Sequence, residues 1–143
     1  MRIVYYTQTY FLDCDFPLVN KLLSKGNKVY LFIQLLPSSL KSTLVDIKTP
    51  ISSVKILKVN SYKEFSVYSS FYDPSTTFII NRICKIYDRR NLRLRIQFKN
   101  MIDEINPDII LCTDFPKSQD FFFYLYRNKL VQLVHDPFPH LGE

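Results

Sequence analysis

Glycine is nearly absent from this chain. Only Gly26 and Gly142 occur among its 143 residues. A dinucleotide fingerprint or a P-loop needs several glycines, because the backbone must approach phosphate oxygens closely. The loop that follows the first predicted strand contains none. The sequence therefore excludes both kinds of phosphate-binding loop in this chain.

Closely spaced cysteines and long apolar runs are also missing. Cys14, Cys84 and Cys112 are far apart and form no CxxC pair, which argues against a disulfide framework and a zinc site. No apolar run approaches the ~20 residues of a membrane-spanning helix. The first residues enter a strand pattern directly, without a basic leader and cleavage site, so no signal peptide is expected. We expect a cytoplasmic protein.

The residues that are present alternate between strand and helix patterns. A β-branched and aromatic strand at 2–6 is followed by a helix, which we expect Asp15 to cap and Gly26 to end, and by a strand at 28–33. A strand, a helix and a second strand within so few residues form a βαβ unit with parallel strands. The remaining patterns predict strands at 54–59, 109–112 and 130–134, the last of them buried, and a helix at 114–126. They also predict one long helix at 76–105, or two helices broken near 88–91, with a stop at Asn106 and Pro107.

This alternation predicts an α/β fold of the Rossmann-like type, as a single domain over residues 1–143. Its sheet should be open and mostly parallel, with helices on both faces and strand order 3-2-1-4-5. The last strand runs into residues 135–143 without a closing helix. Because complete domains usually cover such an edge, we expect the domain to be incomplete at its carboxy-terminal end.

In such sheets, ligands bind outside the carboxyl ends of the strands, where the strand order reverses. The loops 7–15, 113–116 and 135–140 should meet there. His135 suits a general base or a hydrogen-bonding group, although it could instead cap the strand end through Asp136. Asp114 could anchor a ligand hydroxyl or cap the following helix. A metal site formed by His135, Asp136 and His140 has weak spacing, and no metal is expected.

The net charge of +6 is concentrated in residues 82–99. This segment contains Arg82, Arg89, Arg90, Arg93, Arg95 and Lys99. Its Arg-rich part, residues 89–95, could be a solvated helix face, or it could face a phosphorylated acceptor or the anionic inner face of a membrane. No RNP, helix-turn-helix or KH pattern accompanies it, so nucleic acid is not an expected partner.

Four segments in this order resemble glycosyltransferase family 4. They are 1–6 (MRIVYY), 22–29 (LLSKGNKV), 105–110 (INPDII) and 134–136 (VHD). The terminal stretch 135–143 (HDPFPHLGE) is similar to a bacterial subgroup of that family. The resemblance implies the amino-terminal half of a two-domain GT-B fold.

The resemblance also implies a function, that of a retaining, sugar-nucleotide-dependent transferase. The family's acidic E-x7-E motif has no counterpart here, so the nucleotide-sugar donor would bind a missing carboxy-terminal domain, and this half would hold no cofactor and be inactive alone. His135 would act catalytically in the cleft. The expected contacts to a saccharide or lipid-linked acceptor are Thr7, Gln8, Asp114, Asp136 and His140. The alternative is a free-standing binding module without catalysis.

Overall fold

The computed structural model describes residues 1–113 and 123–134, which form one sheet with helices packed against it. The strands are β1 (Arg2–Gln8), β2 (Lys28–Leu35), β3 (Lys55–Lys58), β4 (Thr77–Asn81), β5 (Ile109–Cys112) and β6 (Leu130–Gln132). The α-helices are α1 (Leu12–Ser24) and α2 (Arg90–Ile105). Short 3-10 turns, the longest at Lys63–Phe71, connect β3 to β4.

The six strands lie in the order β3-β4-β2-β1-β5-β6. All neighbouring pairs are parallel except β3 with β4, which is antiparallel. The predicted open, mostly parallel α/β sheet is thus confirmed. The predicted strand order is wrong, because it lacks β4, which lies between β2 and β3.

The strand β4 also shows that the predicted helix at 76–105 is wrong over its first part. Ile79 and Ile80 are fully buried, one in the apolar cluster on each face of the sheet. A strand covered on both faces reads as a continuous apolar run, and periodicity cannot distinguish such a run from a buried helix. The helical part begins only at Arg90 and ends at Ile105, before the predicted stop at Asn106.

The strand β1 shows how the sheet separates two apolar cores. Ile3 and Tyr5 belong to the cluster that contains α1, whereas Val4 and Tyr6 belong to the cluster that contains α2. This alternation follows from the two-residue period of a strand. The residues that α1 and α2 contribute are Leu12, Phe16 and Val19 from the first helix and Leu94, Phe98 and Ile102 from the second. Helices on both faces of the sheet are therefore confirmed.

The two ends of α1 differ in how well the sequence anticipates them. Gly26 has φ +80° and ends the helix as predicted, because its N–H donates to the Leu23 carbonyl at 2.9 Å and the Asn27 N–H donates to the Leu22 carbonyl at 3.3 Å. This is the Schellman pattern. The predicted cap at Asp15 is wrong, since the helix begins three residues earlier, at Leu12.

The strand β6 was predicted as a buried strand at 130–134, and the structure corrects that burial. β6 pairs in parallel with β5 and is the outermost strand of the described sheet, so Val131 remains 41% exposed. Of the predicted helix at 114–126, residues 114–122 lie outside the described residues, and residues 123–126 form a 3-10 turn. Within the described ranges, neither α-helix is long and apolar enough to cross a bilayer.

Candidate functional site

The strand order reverses between β1 and β5. From β1 the chain passes through α1 to β2 on one side, whereas β5 and β6 lie on the other side of β1. Both strands are parallel, so their carboxyl ends share one edge of the sheet. Thr7 lies at the end of β1 and Thr113 directly follows β5. This is the position at which doubly wound sheets bind their ligands.

A buried polar cluster occupies this position, with the Asp15 carboxylate at its centre. The Tyr5 hydroxyl donates to Asp15 Oδ1 at 2.8 Å, and the Thr113 hydroxyl donates to Asp15 Oδ2 at 2.8 Å. The Thr7 hydroxyl also donates to Asp15 Oδ2. Asp15, Tyr5 and Thr7 are fully buried and Thr113 is 5% exposed. We refer to these four residues as the Asp15 cluster.

The Asp15 cluster contains only hydroxyl donors and one carboxylate. Burial raises the pKa of the Tyr5 hydroxyl, and the nearby charge of Asp15 raises it further. The Tyr5 phenol therefore stays protonated over the physiological pH range and acts as a permanent hydrogen-bond donor. Because hydrogen bonds to a charged group are stronger than neutral ones, the cluster fixes the end of β1, the first turn of α1 and the end of β5 to one another.

A second polar network lies at the same edge, on the face covered by α2. Gln34 Oε1 accepts a hydrogen bond from the Tyr6 hydroxyl at 2.7 Å and one from Arg82 Nη1 at 2.7 Å. Arg82 follows β4 and is only 2% exposed. A cleft of about 310 Å³ opens beside it, with Ser38 and Asn91 among the polar residues in its walls.

The predicted contact residues fall partly on the described edge. Thr7 lies there, but its buried hydroxyl donates to Asp15, and the Gln8 carbonyl lies 3.3 Å from the same hydroxyl oxygen. Gln8 is the last residue of β1 and is half-buried. The remaining predicted site residues, Asp114, His135, Asp136 and His140, lie outside the described residues. Their roles stay predictions, as do those of Thr7 and Gln8.

The sequence pattern indicated Asp15 only as a helix cap at the end of the loop 7–15, and Arg82 only as part of the basic segment 82–99. It did not indicate Tyr5 or Gln34 at all. A signal existed for Asp15, since it stands at helical spacing between the buried residues Leu12 and Val19. An acid on the apolar side of a helix requires polar partners. No comparable signal points to Arg82, because its burial depends on β4, a strand the sequence pattern did not predict.

A metal centre is not found among residues 1–113 and 123–134, where no three His, Cys, Asp or Glu side chains are grouped to hold an ion. Cys112 is buried, Cys84 is half-buried and Cys14 is exposed. Comparison with models of known protein families gives no match, and comparison with curated protein sequences gives none either.

Proposed function

We propose that this chain is the acceptor-binding, amino-terminal domain of a retaining glycosyltransferase that uses a sugar-nucleotide donor and has a GT-B fold. The observation that carries the proposal is the Asp15 cluster, a fixed polar structure at the point where a doubly wound sheet binds ligands. The four sequence segments that resemble glycosyltransferase family 4 support the same assignment.

The chemistry of this edge suits a ligand rich in hydroxyl groups. No glycine occurs between residues 7 and 15, so the backbone there forms no glycine-rich loop that could bind phosphate. The phosphates of a nucleotide would therefore be bound only weakly at this edge. The half-buried amide of Gln8 can both donate and accept hydrogen bonds, as a sugar hydroxyl requires. A saccharide or a lipid-linked saccharide is therefore the proposed acceptor.

Transfer would depend on groups from both halves of such an enzyme. The departing phosphate of the donor has to be stabilised, and that task falls to the carboxy-terminal domain. On our proposal His135 lies beside the donor sugar, and Asp114, Asp136 and His140 contact the ligands. The chain alone would bind an acceptor without transferring sugar to it.

Binding is tested by titrating the isotope-labelled 143-residue chain with a panel of saccharides, and separately with nucleotide-sugars, in NMR. We expect saccharide-dependent shifts of the Gln8 and Thr113 amides and none with the nucleotide-sugars alone. Gln8→Ala should weaken saccharide binding, whereas Asn100→Ala, which also removes an exposed side-chain amide but on α2, should not. Shifts confined to the nucleotide-sugar titration would contradict the proposed division of labour.

Catalysis is tested on a longer protein. The DNA after the Glu143 codon is sequenced, and the continued chain is assayed for sugar transfer. We expect a second Rossmann-like half with an E-x7-E motif, and we expect His135→Ala to lower turnover while the unfolding midpoint changes little. A stop codon with no neighbouring partner gene would favour the free-standing binding module instead.

A further inference from the structure

The segment that connects β4 to α2, together with the first turns of α2, carries an unusual set of exposed side chains. Four large apolar side chains in it are exposed: Ile86 at 54%, Tyr87 at 97%, Leu92 at 59% and Ile96 at 52%. Exposed cations lie next to them in the sequence, namely Lys85, Arg89 and Arg93. We call these seven residues the basic-apolar patch.

Helix geometry places part of this patch on one surface. Leu92 and Ile96 are four residues apart, and so are Arg89 and Arg93, which puts all four on the same side of α2. The opposite side carries Leu94, which is buried in the core. The exposed side of the first turns of α2 thus alternates cations with aliphatic side chains.

The charge of the patch is not offset locally. Arg90 forms an ion pair with Asp88 at 2.7 Å, and Asp88 is the one acidic residue between positions 85 and 96. Among the described residues, Lys85, Arg89 and Arg93 take part in no ion pair. Cations at the start of a helix also oppose its dipole, which favours acids there. Helix stability therefore does not account for these cations.

We propose that the basic-apolar patch docks this protein onto the surface of an anionic phospholipid membrane. Three aliphatic side chains and a tyrosine can enter the headgroup region while the cations contact lipid phosphates. Cations combined with exposed Leu and Ile favour a lipid surface over a nucleic acid. Proteins bind single-stranded nucleic acid through cations and through aromatic rings that stack on the bases, not through exposed aliphatic side chains. A symmetric pairing of two copies through the patch would bring like charges together, which disfavours a dimer.

The docking does not depend on the proposed enzymatic function, and its test needs only the 143-residue chain. The chain is sedimented with vesicles of phosphatidylcholine alone and with vesicles of equal parts phosphatidylcholine and phosphatidylglycerol. We expect binding to the anionic vesicles, weakened by salt, and little binding to the neutral ones.

Two pairs of substitutions separate the contribution of the cations to membrane binding from that of the apolar side chains. Arg89→Gln with Arg93→Gln should lower the partition coefficient about 25-fold, from about fivefold per cation. Leu92→Gln with Ile96→Gln should lower it by about tenfold or more. The matched control for charge is Lys21→Gln with Lys25→Gln, which removes two exposed cations at the end of α1 on the opposite face of the sheet.

The matched control for apolar surface is Val67→Gln, because Val67 is 76% exposed outside the patch. Both controls should bind as the parent chain does, and circular dichroism should show every variant folded. Equal binding to neutral and anionic vesicles, or an equal loss in the lysine control, would overturn the proposal. So would tighter binding to a single-stranded oligonucleotide than to vesicles, or a dimer that the Leu92 and Ile96 substitutions dissolve.

Discussion

Replacing Tyr5 by phenylalanine removes one oxygen from the centre of the sheet and leaves the apolar ring in place. In the native structure this oxygen donates to Asp15 Oδ1 at 2.8 Å, and the Thr113 hydroxyl approaches it at 3.4 Å. Tyr5 is fully buried, so water cannot replace the lost donor without rearrangement of the core. The carboxylate oxygen then loses a partner that the fold provides.

The expected cost follows from the charge of the acceptor. A hydrogen bond to a charged group contributes about 1.5–3 kcal/mol to stability. When the donor is removed, the buried acceptor has lost its water and gains no partner in return, so its desolvation is not compensated. We expect Tyr5→Phe to lower the free energy of unfolding by about 1.5–3 kcal/mol. Tyr10→Phe, the same change at a side chain that is 65% exposed, should change it by less than about 0.5 kcal/mol.

Urea unfolding followed by far-UV circular dichroism measures both changes, with the slope against urea checked for constancy. Thr113→Val probes the same carboxylate, and the double variant Tyr5→Phe with Thr113→Val should depart from additivity, because both hydroxyls bind Asp15. If Tyr5→Phe costs no more than Tyr10→Phe, the Tyr5–Asp15 hydrogen bond is not part of the fold and the reasoning about the Asp15 cluster fails.

Three further predictions concern stability. Burial and the charge of Asp15 raise the pKa of Tyr5 in the fold, so the contribution of Tyr5 to the free energy of unfolding is complete below the unfolded pKa of about 10 and is lost as pH rises above it. Tyr5→Phe should therefore reduce the loss of stability at alkaline pH in a pH series, and an unchanged dependence of stability on pH would contradict this. Gly26→Ala should cost about 1–2 kcal/mol, because φ is +80° although a Cβ would meet nothing within 4 Å; a neutral result would show that the turn rearranges. Phe98→Ala should cost about 3–5 kcal/mol in urea unfolding, because Phe98 is fully buried against Phe32 at 4.9 Å between ring centroids. A cost below about 1 kcal/mol, close to that of a surface substitution, would show that the core collapses around the gap.

The sequence was sufficient to predict those helix ends and strands whose pattern depends on local chemistry. Gly26 marks a helix end because a left-handed residue is required there, and Asn106 with Pro107 ends α2 for a related reason. The strand at Lys55–Lys58 reads as an edge because its lysines flank apolar residues, and it does lie at the edge of the sheet. Its antiparallel direction depends on the position of β4, which no local pattern encodes.

The strand β4 was missed because burial on both faces removes the alternation that identifies a strand. Ile79 and Ile83 also happen to stand four residues apart, as in a helix. Only the neighbours β2 and β3 decide between the two structures, and those neighbours are set by tertiary packing. The position of the strand-order reversal was nevertheless predictable, since the predicted order already places the strand at 109–112 beside β1, on the side away from β2.

The Asp15 cluster joins parts of the chain that are far apart in sequence. Asp15 and Thr113 are separated by 98 residues, and Tyr5 and Thr113 by 108. A loop of that length has to close before the last hydroxyl reaches the carboxylate, and the entropy lost is recovered only when β5 pairs with β1. The Asp15 cluster is therefore not a local feature that can form early in folding. It is completed by the same long-range pairing that completes the centre of the sheet, so local opening of β5 would dismantle the site before the βαβ unit unfolds.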